Sequence, residues 1–233
     1  WNIGGVSMIS RAPKNLYFDN VISGMDWTKE SPLMLDGQRL IKISDTEYRT
    51  ENESFSKITA ESIQAWGPEV IKVQTKEGLI MEYGNSVQSA SYLPLQYPSS
   101  GKRQGWLLTK VKDLDGDFIK YNYKMGLNPL SKTFVNHVLE SISYGNNQSG
   151  TEVIVATVSF GYQSRRAALY GYIDGEMLEQ HLLLENIEVK SNESIFRKYE
   201  LKYKNGIDID WLDEVKLYGA NGNFYNSTKF NNK

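Results

Sequence analysis

The segment RKYELKYK, Arg197–Lys204, narrows the fold more than any other stretch of the chain. Tyr199, Leu201 and Tyr203 fall at one set of alternate positions, and Lys198, Glu200, Lys202 and Lys204 at the other. Successive side chains of a strand point to opposite sides, so this period of two predicts a strand with one wet face. VIVATVSF, Val153–Phe160, is apolar or small at both sets of positions and predicts a central strand covered on both sides. VIKVQTKEGLIMEYG predicts a strand, a turn at Glu77-Gly78 and a second strand ending at Tyr83. Asp36-Gly37, Asp115-Gly116, Asn146-Asn147, Asp174-Gly175, Asn205-Gly206 and Asn221-Gly222 are further turn signals, each able to take the positive φ of a tight hairpin.

Fifteen Tyr, five Trp and 19 Gly among 233 residues agree with an all-β chain full of tight turns. The expectation is a large antiparallel, meandering, curved sheet built of Tyr-rich hairpins, with a β-sandwich as the alternative. KTFVNHVLESISYG and DIDWLDEVKLYG also admit a helical turn. Val138–Tyr144 and Glu214–Tyr218 are read as strands because each runs to Tyr and then to Gly before a turn. Ser89–Gln104, with Pro94, Pro98 and SSGKRQ, is the expected flexible connection. No composition shift marks a boundary, so residues 1–233 are read as a single domain, opening at WNIGG as an interior piece of a longer polypeptide opens. A net charge of −2 gives no basic excess for nucleic acid. No apolar run approaches the ~20 residues of a membrane helix, and membrane insertion is not expected. Cys is absent, which removes disulfides and thiol chemistry.

Asp113, Asp115 and Asp117 in VKDLDGDFIKYNYKMG sit at alternate positions, as calcium loops often begin. An EF-hand loop needs Gly at its sixth position and Glu at its twelfth. Counted from Asp113, Gly116 is fourth and Lys124 is twelfth, so the pattern fails at both. The better reading is a turn at Asp115-Gly116 with FIKYNY returning as a strand that carries Ile119, Tyr121 and Tyr123 on one face. No metal or other cofactor is expected.

A weak internal repeat places a turn glycine ahead of apolar residues and then an aromatic: Gly78 with Tyr83, Gly116 with Tyr121 and Tyr123, Gly222 with Phe224 and Tyr225. Asp113-x-x-Gly116 followed by alternating apolar and Tyr positions resembles the YD repeat of RHS proteins. WNIGGVSMISR, LDGQRL, VQTKEGLIMEYG, WLLTKVKDLDGDFIKYNY, LESISYG, VSFGYQSRR and RKYELKYK follow in an order that resembles the SpvB-type region of insecticidal Tc-toxin B components. The resemblance runs from Trp1 to about Gly222. It implies a non-catalytic β-sheet segment of a secreted or cell-surface protein, contributing to a hollow shell that encloses a C-terminal toxic polypeptide. Its implied partners are other segments of the same chain and the enclosed toxin. A regular YD array, an RHS core motif, propeller repeats and a toxin domain are missing, so one piece of a shell is implied.

Catalytic motifs are scarce. His137 and His181 lie in no H-E-x-x-H arrangement, and no G-x-S-x-G elbow occurs. Glu51-x-Glu53 matches the spacing of some ADP-ribosyltransferase toxins, but two glutamates in a polar stretch are more simply a solvated loop. Arg11, Arg165 and Arg166 are read as members of structural ion pairs rather than an anion site. The rival to a shell segment is a carbohydrate-binding β-sandwich stacking sugars on Trp27, Trp66, Trp106 or Trp211, although core packing is the commoner use of such residues. An isolated shell segment is also expected to be soluble yet able to self-associate through an unpaired sheet edge or an apolar inner face.

Overall fold

The computed structural model describes residues 6–84, 92–94, 103–127, 134–173, 176–206 and 209–230. Contacts gather the described residues of 6–118 with those of 172–178 into one compact unit, and those of 119–171 and 179–230 into another. The sequence shows no composition shift at that division.

The first unit is built on nine strands: β1 (Met8–Arg11), β2 (Leu33–Leu35), β3 (Gln38–Lys42), β4 (Glu47–Thr50), β5 (Lys57–Gln64), β6 (Gly67–Gln74), β7 (Ile80–Tyr83), β8 (Tyr92–Pro94) and β9 (Arg103–Lys112). β1 to β7 form an antiparallel meander. β9 then pairs with β7 on one side and with β1 on the other, Ile9 opposite Trp106, so eight strands close into a barrel. β8 pairs with β9 outside this ring. A barrel of eight strands is just wide enough to be filled by side chains. Ile9, Ile58, Ile71, Tyr83 and Trp106 fill it, each almost wholly removed from water. Period two is plain in β6, where Ile71 and Val73 are buried and Lys72 turns out to pair with Glu61 at 2.8 Å. Gly105 permits the seam. A Cβ there would stand 2.7 Å from the Ile9 carbonyl oxygen, so a side chain would push β1 from β9. A four-residue helix, α1 (Leu16–Asp19), interrupts the meander; Asn15 Oδ1 accepts the Phe18 N–H at 3.0 Å, and Asn20, at φ 54°, ends it.

The second unit is one antiparallel sheet: β10 (Phe118–Leu127), β11 (Phe134–Gln148), β12 (Thr151–Ile173), β13 (Glu176–Ser191), β14 (Ser194–Asn205), β15 (Asp210–Tyr218) and β16 (Phe224–Lys229), paired in chain order. The fold is therefore all-β, one large antiparallel meander, and the sandwich alternative falls because neither unit stacks two sheets. Register shifts at Tyr144/Gly145, Val189/Lys190, Lys202/Tyr203 and Leu217/Tyr218 place bulges along the long hairpins. Bulges increase local twist and bend, which lets strands as long as the 23 residues of β12 depart from a flat ribbon.

Several local expectations hold. β14 alternates as RKYELKYK predicts: Leu201 is buried, and Glu200 on the other face lies 3.2 Å from Lys198 and 3.5 Å from Lys202. Val138–Tyr144 and Glu214–Tyr218 are strand, and among the described residues IDW enters β15 at Asp210 without a helical turn. Two expectations need correction. Val153–Phe160 has strand neighbours on both sides, but its faces are not both covered: Ile154 is 50% exposed and only Phe160 is buried. An apolar run reports strand propensity without saying whether a second layer exists. The turn placed at Asn146-Asn147 lies three residues later, at Ser149 (φ 52°) and Gly150 (φ 89°). The asparagines stay in β11, and Asn147 Oδ1 accepts the Gly150 N–H at 2.8 Å, so its side chain caps the turn from the last residues of the strand. The Asp174-Gly175 turn and most of Ser89–Gln104 lie outside the described residues.

Candidate functional site

The residues singled out by the sequence divide between the two units. Gly78 (φ 88°) turns β6 into β7, and its N–H bonds the Thr75 carbonyl at 3.0 Å. Gly116 (φ 94°) turns the chain after β9. Asp113 holds that turn: its carboxylate accepts the N–H groups of Gly116 at 2.8 Å and Asp117 at 2.9 Å, while its own N–H bonds the Asp117 carbonyl. An aspartate so used is a backbone mimic in a turn. The two turns meet, since a Cβ on Gly78 would lie 2.7 Å from Leu114. Gly222 (φ 73°) joins β15 to β16. Tyr83 belongs to the barrel interior, its hydroxyl 2.7 Å from Ser7 Oγ. Tyr121 and Tyr123 instead pack together with the apolar cluster of the second unit.

That cluster crosses four of the long strands. Leu139, Phe160, Leu184 and Leu201 are its buried members, from β11, β12, β13 and β14 in turn, and Tyr162 and Tyr203 pack against them. The Tyr162 hydroxyl donates to the Leu139 carbonyl at 2.7 Å, and that of Tyr203 to the Leu184 carbonyl at 2.6 Å. Each phenol thus reaches from its own strand to the preceding one and ties the pair together. Burial pushes the Tyr162 phenol up to about 12 and raises Tyr121 as well, so both stay neutral at ordinary pH. The face is apolar and phenolic. It offers packing surface and hydrogen-bond donors, not a nucleophile or a proton relay.

The tryptophans do not form a shared platform. Trp106 is fully buried, with its indole N–H donating to the Pro68 carbonyl at 2.7 Å. The Arg103 guanidinium lies 4.4 Å from the centre of the Trp66 ring, and the Arg11 guanidinium lies over Trp106 and Trp27. Among the described tryptophans Trp211, 49% exposed, is the most open to solvent, while Trp27 and Trp66 are half-buried. Arg11 corrects its expected ion pair. It is buried in the barrel and donates to the carbonyls of Arg103 (2.5 Å), Thr28 (2.8 Å), Asp26 (3.3 Å) and Trp66. Burial pulls its pKa down to about 10, with the nearby Asp26 opposing, so it remains charged at neutral pH. Arg166 donates to the Gly206 carbonyl, and no carboxylate among the described residues pairs with Arg165. Sequence alone offers no signal for carbonyl partners, because every residue carries a carbonyl.

Glu53 accepts the N–H of Phe55 at 2.6 Å in an exposed loop, which is a turn contact. His181 lies 2.5 Å from the buried Glu179, a pair on one strand face; the side chain of His137 lies outside the described residues. Among the described residues no group of three His, Asp or Glu is placed to hold a metal.

No family model and no curated protein matches the sequence. Solved structures do match. The N-terminal domain of effector protein SpvB from Salmonella typhimurium strain LT2 aligns with a TM-score of 0.73 at 13% identity, over 92% of this chain and 87% of that one. A TcdB2-TccC3-Cdc42 crystal structure gives 0.73 at 14% identity over 95% of this chain, and the Photorhabdus luminescens Tc holotoxin pore gives 0.70 at 13% over 94%. This chain spans 14% and 13% of those two chains. At such identities the likeness is one of fold.

Proposed function

We infer the role of this chain from its SpvB- and Tc-toxin-like fold, the fold that the sequence resemblance implies. We propose that the chain is a non-catalytic structural segment of a secreted or cell-surface RHS/Tc-toxin-like protein, contributing sheet to a shell that encloses a C-terminal toxic polypeptide. The observation that carries this reading is the extent of the superposition: one fold matches 95% of this chain as a small part of a far longer toxin chain. The organised surface supports it. An apolar, tyrosine-tied face on strands of 9 to 23 residues is suited to building wall. The partners under this reading are neighbouring segments of the same polypeptide and the enclosed chain.

Cryo-electron microscopy of the complete natural polypeptide tests it, together with protease treatment. Strand pairing that continues past β16 into a closed wall, and a C-terminal segment resistant to protease until the wall is opened, is the expected result. A region that stands as a detached domain, beside a C-terminal segment digested at once, overturns the proposal.

A further inference from the structure

One groove in the sheet of the second unit is lined differently from the rest. It has a volume of about 450 Å³, within the size range of small-ligand sites. Leu183, Leu201 and Tyr203 make its floor, and Arg165, Arg166, Glu185 and Asp210 border it. Elsewhere in this unit several charges are matched: Lys120 with Glu152 at 2.6 Å, Lys198 with Glu200 at 3.2 Å, Lys204 with Asp213 at 2.5 Å. In the groove Lys202 lies 3.5 Å from Glu200, but three other charges are unmatched. Among the described residues Glu185, Asp210 and Arg165 take part in no ion pair, and the buried Nε of Arg165 has no hydrogen-bond acceptor. A buried donor without an acceptor costs about 1–3 kcal/mol, so an incoming acceptor gains from meeting it.

We infer that this groove binds a carboxylate-bearing sugar, of the uronic or sialic acid class. The guanidinium fork of Arg165 suits a carboxylate. The free oxygens of Glu185 and Asp210, helped by the Gln163 and Ser164 side chains that also line the groove, accept and donate to ring hydroxyls. The leucine and tyrosine floor receives the apolar face of the ring. A simple anion leaves the two carboxylates unused, and a neutral sugar leaves Arg165 unmatched. This inference is independent of the shell reading.

Titration of the isotope-labelled chain, followed by amide NMR shifts, decides the matter. Glucuronate, N-acetylneuraminate, glucose and acetate serve as probes. Saturable shifts confined to β12, β13, β14 and the start of β15 are expected with at least one sugar acid, at least tenfold tighter than with glucose or acetate. Arg165→Gln and Glu185→Gln should each weaken that binding about tenfold with other resonances unmoved. If Arg165→Gln disturbs the sheet, Asp210→Asn takes its place. No saturable binding by either sugar acid, acetate binding as tightly, or unchanged affinity in the variants overturns the inference.

Discussion

Replacing Arg11 with Met removes a buried cation and leaves its carbonyl partners behind. Four carbonyls, those of Asp26, Thr28, Trp66 and Arg103, share this one guanidinium, which is 4% exposed. Hydrogen bonds from a charged donor contribute about 1.5–3 kcal/mol each, and a buried acceptor left alone costs about 1–3 kcal/mol. The variant regains the desolvation cost of the charge, the same cost that lowers the pKa of Arg11, and water re-solvates the outer carbonyls. With two acceptors stranded, the net loss is about 3–5 kcal/mol, or roughly 10 °C in melting temperature for a chain of this size. Arg11→Lys keeps the charge but not the fork, and should lose about half as much. Urea titration followed by tryptophan fluorescence is the assay, because the rings of Trp27 and Trp106 lie against this guanidinium. A midpoint within about 1 kcal/mol of the parent for Arg11→Met, at equal slope, would refute the claim that these contacts pin the barrel.

Gly105→Ala should destabilise the barrel by about 2 kcal/mol or more through contact with the Ile9 carbonyl, whereas Gly150→Ala, at positive φ but with open space around it, should cost only about 1–2 kcal/mol; thermal unfolding of both variants checks the ranking. Asp113→Ala should cost about 1–2 kcal/mol by freeing two turn N–H groups, and millimolar calcium should leave the parent unchanged; a calcium-dependent rise of several degrees, lost in Asp113→Ala with Asp117→Ala, would identify a metal loop instead. Hydrogen bonds from Lys29 and then Lys42 hold exposed Asp45 down at about 2, below its ordinary 3.8. Its contribution is therefore present above about pH 4 and lost as pH falls through about 2, and urea midpoints of the parent and Asp45→Asn should converge over that window, the difference being small and reduced by salt. β16 has a strand partner only in β15 among the described strands and exposes Phe224 and Tyr225, so light scattering should show self-association that Tyr225→Lys weakens.

What the sequence made legible was local. Alternation found β14, and glycines at 37, 78, 116 and 222 found their turns, because both depend on a few neighbouring residues. The turn at Asn192-Glu193, with φ of 45° and 64°, went unread because it has no glycine. Barrel closure was not legible, since it rests on the pairing of Ile9 with Trp106 across most of the unit. The partners of Arg11 escaped for a similar reason: the SRA tripeptide around it shows a charge, and only the fold brings four distant carbonyls to it. In the groove, QSRR was visible as a basic pair, but Glu185 and Asp210 lie on other strands and gave no signal of proximity.

The closure of the ring also fixes an order of events during synthesis. β1 is made first, yet one of its two partners, β9, follows about a hundred residues later, Ile9 awaiting Trp106. At ~5–20 residues per second, that interval is roughly 5–20 s. Chain diffusion and hairpin formation are complete within microseconds, so translation sets the pace and loop closure does not. Throughout that time the β2-to-β7 meander can assemble, while one margin of β1 stays open to other strands. The nascent chain is most vulnerable to wrong strand exchange just before Gly105 and Trp106 emerge, and that danger ends when the seam shuts.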